Sequence, residues 1–166
     1  MTLSDDLIQQ LLVEPKVVIT PNARSKIQKK SERFNYQVDA VDGARSFEMY
    51  TRQNLMDGNA YSCGLIYHPP SGEKVTLIRY NGSNHVHANP LEGGGLIVHK
   101  CHIHRATQRY MELGDKAEKF AETTDRYYDL SGAIRCMLND CNISGLDYHD
   151  PYDGSDDPDA QLSLAL

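Results

Sequence analysis

Five of the seven histidines fall in one stretch, "NHVHANPLEGGGLIVHKCHIHR", residues 84–105. His85 and His87 stand two residues apart, and His99, His102 and His104 follow beyond three consecutive glycines. Imidazole ordinarily changes charge inside the physiological pH range and is also the commonest metal ligand. A proton-transfer site and a metal site are therefore the two chemistries this spacing offers. RNA cleavage without a metal needs a base for the 2′-hydroxyl proton, an acid for the departing 5′-oxygen, and cations for the phosphorane. Two imidazoles can act as base and acid, each worth roughly 10²–10⁴-fold. Arginine and lysine contact the phosphate and its developing charge. On this reading His102, His104, His85 and Arg79 are the catalytic candidates, and Lys100, Arg105, His87, His99 and Asn89 contact the substrate. No cofactor is required.

Metal is the competing reading. His85, His87, His102 and His104 form two His-x-His pairs that could converge on Zn²⁺ or another ion that favours imidazole. A histidine pair at two-residue spacing also occurs where the rings only bond to backbone or water. His68, before Pro69, and His149 read as bystanders.

The formal net charge of −6 is unevenly spread. Residues 147–166, "DYHDPYDGSDDPDAQLSLAL", hold six Asp and no Lys or Arg, so the remainder balances 17 acids against 17 bases. Residues 74–109 carry Lys74, Arg79, Lys100, Arg105 and Arg109 against Glu92 alone, and residues 16–33 carry six bases against Glu32. A locally basic setting suits an anionic partner. The expected organisation is one α+β domain over 1–146 and an acidic, flexible tail over 147–166. No run approaches the roughly 18 apolar residues of a membrane span. Acids stand where an export signal needs bases, and the four cysteines form no CxxC pair. Reduced thiols and a cytoplasmic location are expected.

The elements that must position the histidines are written in the periodicities. "SDDLIQQLLVEP" predicts a helix: Ser4 caps it, Asp5 and Asp6 suit its positive end, Leu7, Ile8, Leu11 and Leu12 form a stripe, and Pro15 ends it. "TPNARSKIQKKSE" predicts a second helix from Thr20 as cap and Pro21 at the first position. From residue 33 the period becomes two. Phe34, Tyr36 and Val38 alternate with polar residues, and Asp42-Gly43 makes a hairpin to "RSFEMYTRQ". "AYSCGLIYH" and "EKVTLIRY" make another across "PPSG", and "LIVHKCHIH" reads as a fifth strand. "GDKAEKFAETTDR" and "DLSGAIRCMLNDCNI" predict helices. The class is α+β, an antiparallel β-meander of about five strands flanked by N-terminal and C-terminal helices. On the fifth strand Ile97, His99, Cys101 and Ile103 face the core, and Lys100, His102 and His104 lie on an exposed face about 7 Å apart.

"LIRYNGSNHVHANP", then "HKCHIHR", then a helix ending "NDCNI" resembles a group of small prokaryotic histidine-rich proteins and the TumE-like toxins of toxin–antitoxin modules. The resemblance covers roughly residues 74–143 and rests on Arg79, Asn81, His85, Asn89, Pro90, His99, His102 and His104. The glycine-rich "EGGGLIV" and the Asp-rich tail depart from the pattern. The resemblance implies an RNA target and a cognate antitoxin or other protein partner. Two other roles stay open: a non-catalytic binding or inhibitor protein of a phage or defence system, and a histidine-ligated metal protein.

Overall fold

The computed structural model describes residues 2–84 and 86–147. Helix α1, Asp5–Val13, begins as its sequence requires. Ser4 Oγ accepts from the Leu7 N–H, two acids occupy the first turn, and Ile8, Leu11 and Leu12 are buried. Helix α3, Leu130–Asp140, is capped by the Asp129 carboxylate and buries Ala133, Ile134 and Met137. A short α2, Gln108–Glu112, starts at Thr107.

The central strands are β3 (Ser31–Ala40), β4 (Ser46–Asn54), β5 (Tyr61–His68) and β6 (Val75–Asn81), joined as successive antiparallel hairpins. Gly43 supplies the positive φ that the tight β3–β4 turn demands. The chain then leaves the sheet to form a separate hairpin of β7 (Val86–Ala88) and β8 (Leu96–Val98). It returns as β9 (His102–Arg105) beside β6, and β10 (Phe120–Thr123) adds outside β9. At the other edge β1 (Lys16–Val18) pairs with β3 and, in parallel, with β11 (Ile143–Ser144), while β2 (Lys26–Gln28) pairs with the start of β3. The result is an α+β fold on a mostly antiparallel nine-stranded sheet of order β10-β9-β6-β5-β4-β3-β1-β11, with β2 beside β3. Among the described residues no helix is long and apolar enough to cross a membrane.

The structure corrects five expectations. The segment 20–32 is a turn and β2, not a helix, because it has no apolar stripe to bury: Ile27 is 69% exposed. Lys29 and Lys30 take positive φ and reverse the chain into β3. The segment 114–126 is a loop and β10, because the open edge of β9 offers its backbone partners. "LIVHKCHIH" is two strands. His99, at φ 48°, breaks the run and turns its own side chain to solvent, away from the expected core. The meander is therefore longer than five strands and closed at one edge by a parallel pair.

Register divides the sheet into two unlike faces. Val38, Phe47, Met49, Cys63, Leu65, Ile78, Tyr80 and Ile103 join the apolar sides of α1 and α3 in one core. The opposite face bears Arg33, Asn35, Tyr50, Arg52, Ser62, Arg79, Asn81, His102 and His104. Fully buried Lys16 ties the helical layer together. Its ammonium donates to the carbonyls of Leu12, Glu14 and Cys141 at 2.8–3.0 Å and lies 5.0 Å above the Phe47 ring.

Candidate functional site

Two cross-strand rows set the site. Asn81 of β6 stands opposite His102 of β9, and Arg79 opposite His104. Alternation puts both imidazoles on the polar face two residues apart, but they are not exposed as expected: His102 is 0% and His104 2% exposed. The β7–β8 hairpin is the reason. It folds over β9 as a flap and brings the half-buried His87 ring 4.6 Å from that of His104 and 5.8 Å from that of His102. The His102 and His104 rings are 5.0 Å apart. Three imidazoles thus meet edge-on and stacked beneath one hairpin.

Hydrogen bonds orient each ring. His102 Nδ1–H donates to the Lys100 carbonyl at 2.8 Å, which leaves Nε2 as the acceptor, 3.5 Å from the Asn81 amide nitrogen. His104 Nδ1–H donates to the Glu118 carbonyl at 2.9 Å, and its buried Nε2 has no hydrogen-bond partner among the described residues. His87 Nε2–H donates to Asn89 Oδ1 at 3.1 Å. Asn89 also accepts from the Ala121 N–H at 2.9 Å and donates to its carbonyl at 2.7 Å, so it latches the flap to β10. A second latch lies at the flap's tip, where buried Tyr110 donates to Glu92 and accepts from the Leu91 N–H.

Charge comes from Arg79. Its guanidinium donates to the Glu118 carboxylate at 3.3 Å, so Glu118 holds His104 by its main chain and Arg79 by its side chain. Burial, reinforced by the Arg79 cation and the neighbouring His102 and His87, pushes the His104 imidazole down to about 2. His104 is therefore neutral across the physiological range. Tyr127 stiffens the pair of strands from behind, its hydroxyl bonded to the carbonyls of Asn81 and His102.

In front of Asn81 the face opens into a cleft of about 280 Å³ lined by Arg52, Ala60, Tyr61, Ser62, Arg79, Asn81 and Asn84. Gly64 makes room beside it. A Cβ there would lie 2.8 Å from both the Ile78 carbonyl and the Tyr50 ring, so only glycine lets Tyr50 cross β5. Arg33 in turn sits 4.5 Å over the Tyr50 ring.

Of the residues singled out by sequence, His87, Asn89, His102, His104 and Arg79 come together. Lys100 and His99 do not, because both are exposed in the bend before β9; Lys100 contributes only its carbonyl. Arg105 follows the opposite parity on β9, is exposed, and leaves the histidine face. His85, and with it one catalytic and metal candidate, lies outside the described residues, as do His149 and all but the first residue of the acidic tail. Among the described residues no group of three or more His, Cys, Asp or Glu is placed to hold a metal ion. Glu118, Arg52, Ser62 and Tyr50 were not anticipated. The strands of Arg52, Ser62 and Tyr50 were legible, but only the register across β4, β5, β6 and β9 aligns them with the histidines; Glu118 stands in the segment expected to be helical, in the turn before β10.

The comparisons add no relative. No family model, curated protein or solved structure matches the chain.

Proposed function

We propose that the chain acts on RNA as a toxin-like ribonuclease, with the His87–His102–His104 cluster and Arg79 as its metal-independent reaction centre. The observation that carries the reading is the meeting of three oriented imidazoles, one of them His104 opposite Arg79, at the end of a polar sheet face. The neutral state of His104, with its Nδ1–H tied to Glu118, favours a division of labour. A general acid or base works best with a pKa near the operating pH, so His104, neutral and nearly proton-free, serves as a positioning residue. Base and acid roles fall to His87 and His102, and Arg79 stabilises the charge that develops on the phosphorane. His87 sits on the flap and is half-buried, which gives the centre its route to solvent and substrate. Asn89 orients it, as a second group orients the base in other acid–base sites.

The test is cleavage of total RNA by the full-length purified chain, with EDTA and then with added Zn²⁺. The expected result is cleavage in EDTA that falls at least 10²-fold in His87→Ala and His102→Asn variants with unchanged circular dichroism. Full cleavage by both variants, or none by the parent chain, overturns it. A second reading has one observation in its favour. His102 and His104 each tie Nδ1 to a backbone carbonyl and keep Nε2 as an acceptor, as metal-ligating histidines do. Cleavage that appears only with Zn²⁺ would establish that alternative. A cognate antitoxin and a cytoplasmic setting belong to the same proposal and are testable by co-purification.

A further inference from the structure

Arg33, Arg52 and Arg79 stand on three strands of the face that α1 and α3 leave uncovered. The register runs Lys26–Arg33–Arg52–Ser62–Asn81–His102 across β2, β3, β4, β5, β6 and β9. Beside it runs a second row, Asn35–Tyr50–Gly64–Arg79–His104. Arg52 is exposed and Arg33 half-buried, and among the described residues neither is in an ion pair. The acids of the face are segregated. Glu48, which pairs with Lys74 and lies 3.3 Å from the His68 ring, and Asp39 lie at the far end, and Glu118 is engaged with Arg79.

We infer that this row is the substrate track: a site for the phosphate backbone of single-stranded RNA, entering over Arg33, passing Arg52 in the cleft, and delivering the scissile phosphate to Arg79 and the histidines. The inference rests on the ribonuclease reading and adds its substrate class. Length agrees. Four inter-strand steps of about 4.8 Å place Arg33 about 19 Å from His102, room for roughly four nucleotides, the low end of single-strand sites. Chemistry agrees as well. Guanidinium forks match phosphate oxygens, Ser62 and Asn81 add neutral donors between them, and Arg33, backed by Tyr50, presents a plane on which a base can stack.

The test separates binding from cleavage. The probe is a fluorescein-labelled, unstructured 12-nucleotide RNA with 2′-O-methyl riboses, which lacks the 2′-hydroxyl nucleophile, titrated by anisotropy against the full-length chain. Expected are an affinity loss of about tenfold in each of Arg33→Ala and Arg52→Ala, and a salt slope shallower by about 0.7 per arginine removed. Gln37→Ala, at the other end of the same face, should bind as the parent does. Unchanged affinity and slope in both arginine variants would overturn the track, and cleavage still lost in His102→Asn would leave the reaction centre standing. Polyglutamate binding tighter than the RNA with the same arginine dependence would also overturn it, making the face a seat for an acidic protein segment. No binding of the RNA by the parent chain removes the track outright.

Discussion

Asn89 pairs with Ala121 as a strand residue would, its side-chain amide accepting from the Ala121 N–H and donating to the Ala121 carbonyl. One side chain thereby extends the sheet beyond β10 and fastens the flap to it. Asn89→Ala removes both bonds and the bond that orients His87. Amide exchange should quicken over residues 86–98 and at Ala121, while global stability falls by only about 1–2 kcal/mol. Cleavage should fall more than tenfold. Unaltered exchange in the hairpin would show that the Tyr110–Glu92 contact alone holds it.

His104 gives the fold a pH dependence of definite sign. Its folded pKa, about 2, lies below the ordinary 6.5, so on acidification the unfolded chain takes the proton first. Stability from this group is complete above about pH 6.5 and is lost as pH falls below it, with a slope of about 1.4 kcal/mol per pH unit. Urea unfolding at several values between pH 7 and 5 should show that slope in the parent chain, and His104→Gln should flatten it.

Arg79 is expected to act on rate more than on fold. Arg79→Gln keeps a donor near Glu118 but removes the charge, and cleavage should drop by about 10²–10³-fold. Lysine at the same position should restore little, because its point charge does not reproduce the fork. Single-turnover kinetics would check both, and a lysine variant with parental rate would reduce Arg79 to a simple counter-charge.

Lys16 is the test of the core. Lys16→Met leaves the carbonyls of Leu12, Glu14 and Cys141 facing an apolar chain. Three acceptors, two of them in buried bonds, lose their donor at once, so the unfolding free energy should fall by about 2–5 kcal/mol. Burial pulls the ammonium down to about 8, against the pull of Cys141 and Glu14. Chemical denaturation at pH 7 measures the loss.

What the chain revealed before folding was what is local. Ser4 and Asp129 cap their helices, and the alternation of Phe34, Tyr36 and Val38 and the Asp42-Gly43 turn made the first hairpin readable. What stayed hidden depends on distant partners. Phe120–Thr123 has weak strand character and extends only because β9 lies beside it. Burial of His102 and His104 could not be read from β9, since the covering flap is a different hairpin, placed by Asn89, Glu92 and Tyr110. Spacing alone gives His87 a substrate contact, and its ring contacts with His102 and His104 need the flap's docking.

The seam where β1 meets β11 also orders events during synthesis. Every histidine of the cluster is translated before residue 105, yet among the described residues the outer edge of β1 is covered by residues 143–144 alone, and the third carbonyl for Lys16 arrives with Cys141. A nascent chain halted short of that point carries its chemistry on an unfinished sheet, with the outer edge of β1 bare and Lys16 lacking one of its three acceptors. Completion of the β1 edge therefore waits on residues 141–144, and truncation before Cys141 removes the seam even though every candidate catalytic residue remains.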